Sequence, residues 1–248
     1  MASAPAETRR PAFYALRPGG WRDLVTLLHP PYTAWHLSYV ALGAAAAPAF
    51  RVDRLLLVLG AFLLAVGVSA HALDELHGRP LRTTLSRRAL LALAGASLAG
   101  AIAIGTYAAI AVSALLVPLI AVGALLVPAY NLELLGGRFH NAFWFGFAWG
   151  AFPAFTGYFF QDLVVRPAGI FVAAGCFLLT LAQRRLSMPV RELRRRTKTV
   201  EGRLVASDGT VVQLTEAALI APLEGALIAL SAGLVLVATG LVLVRVAV

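Results

Sequence analysis

Seven stretches of about twenty mainly apolar residues, near 32–50, 54–74, 88–106, 108–129, 140–160, 167–183 and 217–244, constrain this chain more than any motif in it. Twenty residues of helix span the roughly 30 Å of a bilayer's hydrocarbon. In lipid the backbone must satisfy its own hydrogen bonds, which a helix does within each segment. The sequence therefore predicts an all-α, multi-pass transmembrane bundle of about seven helices. A soluble domain is excluded on composition, because 60% hydrophobic against 13% charged residues, with mean hydropathy +0.81, is more than one core absorbs. Two joints are open: the third and fourth runs meet at Gly105 and Thr106, and the seventh is long enough to tilt or break at Pro222.

Arginine sets the predicted orientation, since basic residues accumulate at the cytoplasmic ends of spans. With the N-terminus inside, only Arg51, Arg54, Arg166 and Arg245 of the 21 Lys and Arg fall outside. The chain is thus expected in the cell membrane, with residues 1–31 as a cytoplasmic segment and 32–248 as one transmembrane domain carrying a cytoplasmic loop over 184–216. The net charge of +9 becomes a topology signal, with membrane lipids as partners. Basic residues placed beside spans are a poor nucleic-acid surface, so no nucleic-acid partner is expected. The polar, basic first thirty residues do not read as a cleavable leader. Arginine in place of almost all lysine, with abundant alanine, fits a GC-rich prokaryotic genome.

Within the N-terminal segment Trp21, Leu24, Val25 and Leu28 recur at helical spacing, predicting an interfacial helix that ends at His29, Pro30 and Pro31. Thr199–Thr215 alternates apolar and polar residues around Ser207-Asp208-Gly209, predicting a β-hairpin with a tight two-residue Asp-Gly turn. The single Cys176 is expected to be a packing residue.

Chemistry is concentrated in His71–Arg82, HALDELHGRPLR, where an apolar run ends in ionisable side chains. On a helix His71, Asp74 and Glu75 stand at i, i+3 and i+4 and share one face. Two readings follow. Carboxylates aimed into a bundle hold Mg²⁺, with Asp74, Glu75 and His71 as ligands and arginines taking phosphate oxygens. Alternatively Asp74 and Glu75 pair with Arg79 and Arg82 at the membrane edge.

These residues, in this order, resemble the UbiA-type intramembrane prenyltransferase superfamily. That family carries N-D-x-x-D-x-x-x-D at the cytoplasmic end of its second helix, followed by an R-P or R-T element. Here Ala70–Gly78 occupies that place and Arg79-Pro80-Leu81-Arg82-Thr83 follows. A Tyr-led loop, a basic residue and a G-x-x-P-x-x-x-G helix come next in the family, and this chain has Tyr130, Arg138, Asn141, Gly150, Pro153 and Gly157. The first span, from HPPYTAWHLSYVALGAAAA, is similar to the family's as well. The resemblance implies a membrane transferase that moves a prenyl group from a prenyl diphosphate to a small or aromatic acceptor. Asp74 and Glu75 would be catalytic Mg²⁺ ligands, and Arg79, Arg82, Tyr130, Arg138, Asn141, Arg184 and Arg185 would hold the diphosphate. Three departures stand out. Of the first motif's aspartates only Asp74 is present, the second motif, D-x-x-x-D, is replaced by QRRLSMPVR over 183–191, and the family's usual nine helices are here about seven. The alternative is a homologue without catalysis that binds or transports an anionic lipid or isoprenoid, with Arg184, Arg185 and Arg191 standing where the second acids would be. Glu224 inside the seventh run, His36, His140 and the aromatic fifth run remain open between structural and ligand-facing roles.

Overall fold

The computed structural model describes residues 10–247, so the N-terminal segment is followed from Arg10 onward and Arg9 lies outside the described residues. Its helices are α1 (Trp21–Leu27), α2 (Pro30–Ala46), α3 (Val52–Leu76), α4 (Arg87–Ala111), α5 (Ala114–Asn131), α6 (residues 142–162), α7 (Pro167–Arg195) and α8 (Glu216–Val246). Between α7 and α8 lie β1 (Arg203–Val205) and β2 (Val211–Gln213), paired antiparallel with Leu204 opposite Val212. Five of the helices, α3, α4, α5, α7 and α8, are long and apolar enough to cross a membrane. The 17-residue α2 and the Phe-, Trp- and Gly-rich α6 pack among them.

α2 packs against α6 and α8, while α3 is held by α4 and α6. Glycine decides the α2–α6 crossing. A Cβ on Gly43 would run into the Ala154 carbonyl of α6, and one on Gly157 would run into the Val40 carbonyl of α2. Each helix lends the other its missing side chain, which brings the backbones together where Trp35, Tyr39, Ala154 and Cys176 form a buried cluster. Cys176 is a buried free cysteine in that packing.

Three boundaries differ from the sequence expectation. The third span does not end at Gly105-Thr106: α4 runs on to Ala111, and the break falls at Val112-Ser113, where the Ser113 hydroxyl accepts from the Leu115 amide. Glycine weakens a helix but does not stop one whose neighbours pack it, and Gly105 lies against Ile120. α8 is unbroken at Pro222. Most consequentially, α7 does not stop where hydropathy does, near residue 183, but continues as helix for three more turns through Pro189 to Arg195. Residues 184–195, expected to be loop, are therefore a rigid extension of a span.

The hairpin forms, with a different turn. The Gly209 amide bonds to the Ala206 carbonyl at 2.9 Å and the Ala206 amide to the Thr210 carbonyl at 2.8 Å, which closes a three-residue loop of Ser207, Asp208 and Gly209. Only Gly209 has positive φ, at 84°, whereas a two-residue turn of the expected type needs it at both positions. The Asp208 carboxylate instead accepts from the Thr210 amide, an interaction that fixes the turn locally.

In α1 the buried side is Asp23, Thr26 and Leu27, and Trp21 and Leu24 face outward. Asp23 hooks this helix to the loop after α3, accepting from the Thr84 amide (2.9 Å), the Thr84 hydroxyl (2.5 Å) and the Gly19 amide (3.1 Å). Burial acts to raise the Asp23 pKa, but those donors outweigh it and hold the carboxyl below its ordinary range.

Candidate functional site

The helix ends nearest the N-terminal segment enclose a polar cavity of about 250 Å³. All five histidines of the chain line it: His29 before α2, His36 on α2, His71 and His77 at the end of α3, and His140 before α6. Phe13 and Tyr14 cover one side, Tyr130 closes α5, and α7 contributes Gln183, Arg184, Ser187, Arg191 and Arg195.

The α7 contribution follows from the extended helix. Positions 183, 187, 191 and 195 are spaced by four and fall along one stripe, so a continuous helix aims all of them at the same space. Arg191 donates to the Ser187 hydroxyl at 2.9 Å, Arg195 to the Pro11 carbonyl at 3.2 Å, and Arg184 to the Tyr130 hydroxyl at 3.2 Å while lying 5.1 Å from the Phe145 ring centre. Each of these acceptors is uncharged. On the cavity wall Glu224 is taken by Arg194, at 2.7 and 2.8 Å in a two-pronged ion pair. Asp74 lies in the field of Arg191, Arg195 and His140, yet none of the described cations approaches it within the 4.0 Å of an ion pair. Among the described residues three guanidinium groups thus face one carboxylate that is in no ion pair.

Three of the histidines are held by a ring hydrogen bond to a carbonyl. His36 bonds through Nδ1 to the Trp149 carbonyl (2.7 Å), His71 to the Gly67 carbonyl (3.1 Å) and His140 to the Tyr130 carbonyl (3.1 Å). A carbonyl only accepts, so Nδ1 carries the proton in each and Nε2 is left free. The His29 and His71 rings lie edge to face with centres 4.0 Å apart. Burial, and after it the neighbouring His71 and Arg191, pushes the His29 pKa well below its ordinary value, so this ring is neutral at pH 7. Tyr14 is moved the other way by burial and by Tyr32, and remains a phenol. Two buried polar atoms on the wall, His29 Nδ1 and Gln183 Oε1, have no partner among the described residues.

The residues singled out in the sequence divide into two sets. His71, Asp74, Tyr130 and Arg184 converge on the cavity. Glu75 does not: it is fully buried on another side of α3 and accepts from the Leu81 amide, the Thr83 amide and the Thr83 hydroxyl, each at 2.9 Å. Arg79 is bent back on the same loop, donating to the Thr83 (3.0 Å) and Leu85 (2.9 Å) carbonyls. Asn141 caps α6 by accepting from the Trp144 amide. Arg82, Arg138 and Arg185 are exposed and do not border the cavity. Neither Asp74 nor Glu75 pairs with Arg79 or Arg82 among the described ion pairs, so the edge-pairing reading is not what holds this turn.

His29, Gln183 and Arg195 escaped the sequence reading, as did the N-terminal cover. For the α7 residues the sequence carries the spacing of four, but the charge after residue 183 predicts a loop. His29 and Tyr14 are brought in by tertiary folding and carry no local pattern.

The expected Mg²⁺ set can be tested against these side chains. No three His, Cys, Asp or Glu side chains are grouped to hold a metal among the described residues. Glu75 has committed both oxygens to the loop, His71 has one free nitrogen, and the remaining carboxylate faces guanidinium groups. This donor set does not fit a dication carrying a diphosphate.

A second chamber, of about 110 Å³ and almost purely apolar, lies between α3, α4, α5 and α6. Phe62, Ile120, Leu126 and Phe152 are among its walls, and Val66 and Trp149 line both chambers. Both shared residues sit in stretches where α3 (Leu63–Ala70) and α6 (Phe147–Ala151) widen into π-helical turns. Such turns shift the phase of the side chains that follow, and they recur at ligand sites. Comparison with protein families, with curated proteins and with solved structures finds no match for the chain.

Proposed function

We propose that this protein is a divergent UbiA-type bundle of seven membrane-spanning helices, N-terminus inside, that binds an isoprenoid lipid by its phosphorylated head. The observation that carries this is the shared wall of Val66 and Trp149. It sets a cationic, histidine-lined chamber directly beside an apolar one, matching the two ends of a prenyl diphosphate. Guanidinium groups bind phosphate oxygens in a bidentate fashion, and the apolar chamber removes hydrocarbon from water or lipid headgroups.

Binding alone is the reading the geometry favours. Cleavage of a diphosphate from an allylic carbon needs charge stabilisation that is stronger in the transition state than in the bound lipid. Prenyl transfer to an acceptor stands as the second reading. It is supported by Asp74, whose carboxylate accepts no hydrogen bond from the described residues, and by His71, whose Nδ1 is bonded to the Gly67 carbonyl, both of which line the cavity. Either group would take the proton that a hydroxyl or aromatic acceptor releases.

The test uses the purified full-length chain in detergent, titrated with geranylgeranyl diphosphate, farnesyl diphosphate and inorganic diphosphate. Affinity rises at least about tenfold from inorganic diphosphate to the longest chain, because each buried methylene is worth up to about 0.8 kcal/mol. Equal affinity for all three removes the head-and-tail reading. Release of diphosphate with a labelled acceptor product, lost in Asp74→Asn, would raise the transferase reading above it.

A further inference from the structure

We infer that this cavity holds a phosphorylated headgroup directly on arginine, without a divalent cation, so that Asp74 opposes ligand binding instead of supporting it. The inference rests on the proposed lipid-binding role and concerns how the anion is recognised.

Three observations carry it. First, the charge balance of the cavity is reversed from that of a metal site. A Mg²⁺ site needs several oxygen ligands with surplus negative charge. Here Arg184, Arg191 and Arg195 face Asp74 alone, since Glu224 is neutralised by Arg194 at 2.7 Å. Second, the α7 stripe carries Gln183 and Ser187 one turn apart, followed by Arg191 at the next turn. An amide and a hydroxyl on this face supply no charge to a dication, whereas Arg191 and Arg195 supply two fixed charges at the depth where the anion would sit. Their present partners, the Ser187 hydroxyl and the Pro11 carbonyl, are neutral acceptors that a phosphate oxygen outcompetes.

Third, the cavity holds polar atoms that the chain itself leaves unmatched. Gln183 is 2% exposed with Oε1 unpartnered, and His29 is 6% exposed with Nδ1 unpartnered. A buried polar atom without a partner is unfavourable, so each of these calls for one. Gln183 Oε1 can only accept, so it calls for a donor on the ligand: a hydroxyl or the protonated oxygen of a phosphate. The headgroup class is therefore a phosphate or diphosphate ester presenting at least one O–H, bound by guanidinium and by neutral acceptors together.

The test repeats the titration of full-length protein with geranylgeranyl diphosphate and inorganic diphosphate, in EDTA and in excess Mg²⁺, with Arg191→Gln, Arg195→Gln, Arg191→Lys and Asp74→Asn. The inference expects affinities within about twofold with and without Mg²⁺. It expects a loss of about tenfold or more in each Gln variant, partial recovery in Arg191→Lys, and a several-fold gain in Asp74→Asn. Melting temperatures without ligand, unchanged within a few degrees, keep a loss in the Gln variants from being read as misfolding. A metal requirement together with a loss in Asp74→Asn overturns the inference and leaves the lipid-binding role intact. Absence of binding under every condition overturns that role, and the inference with it. Equal effects on inorganic and prenyl diphosphate place recognition in the headgroup, while effects confined to the prenyl compound locate it at the tail and count against it.

Discussion

Replacing Glu75 with Gln separates a structural acid from a ligand-binding one. In the native fold one carboxylate oxygen takes the Leu81 amide and the other takes both the amide and the hydroxyl of Thr83, all at 2.9 Å and away from solvent. The amide side chain of Gln has one acceptor. Turned to satisfy Thr83, it presents an NH₂ group to the Leu81 N–H, leaving two buried donors face to face. A hydrogen bond to a charged group contributes about 1.5–3 kcal/mol, and an unsatisfied buried donor costs about 1–3 kcal/mol, so the single change should cost about 3 kcal/mol. For a chain of this size that corresponds to a fall of about 6–12 °C in melting temperature. The assay is thermal unfolding in detergent, read by near-ultraviolet circular dichroism, with diphosphate affinity measured below the transition. Affinity should hold within about twofold, because Glu75 does not border the cavity. An unchanged melting temperature, or a stable variant that has lost affinity, would refute the reasoning and return Glu75 to the anion site.

Gly157→Ala should cost about 1–3 kcal/mol or more, because its methyl meets the Val40 backbone carbonyl, which cannot rotate away. Gly175→Ala and Gly233→Ala, which meet nothing within 4 Å, should be neutral or slightly stabilising through helix propensity. Monodisperse yield and melting temperature check the contrast. Arg194→Gln should destabilise by about 2–4 kcal/mol by stranding Glu224, whose side chain is 12% exposed. The Arg194→Gln/Glu224→Gln double variant should recover part of that loss, which a double-mutant cycle measures. Stability should decline as pH falls below 6.5, because unfolded His29 takes a proton there that the folded, buried ring refuses. The unfolded state then binds more protons, so this group lowers stability by up to about 1.4 kcal/mol per unit of acidification. His29→Asn should flatten the melting temperature against pH between 7.5 and 5.5, and an unchanged slope would remove His29 as its source.

The polar residues show how far local sequence reaches. Asp74 and Glu75 are neighbours with the same chemistry, and hydropathy places both at the end of one helix. Which becomes a cavity wall and which a loop anchor depends on where the Leu81 and Thr83 amides arrive, and that is set by a chain reversal with positive φ at Gly78, Arg79 and Arg82. Arg184 and Arg185 likewise differ only by about 100° around α7, yet one reaches Tyr130 and the other lies exposed. The fourfold spacing of Gln183, Ser187, Arg191 and Arg195 was present in the sequence. It acquires meaning only once the helix is known to outlast its apolar stretch.

The apolar runs were enough to determine a mainly helical bundle and the core of each long helix, although α7 runs three turns beyond its apolar stretch. That information is local: a run of this length and hydropathy has one stable backbone solution in lipid, whatever its neighbours. The Asp-Gly hairpin and the break before α2 were legible for the same reason, since turn residues and prolines act within a few positions. Tertiary structure alone decided the cavity. Five histidines spread over more than a hundred residues of sequence, an N-terminal cover and the α7 arginines share one space because helices pack at angles and phases set by distant contacts such as Gly43 on Ala154 and Gly157 on Val40. Hydropathy, being a sum over neighbours in sequence, carries no record of those contacts.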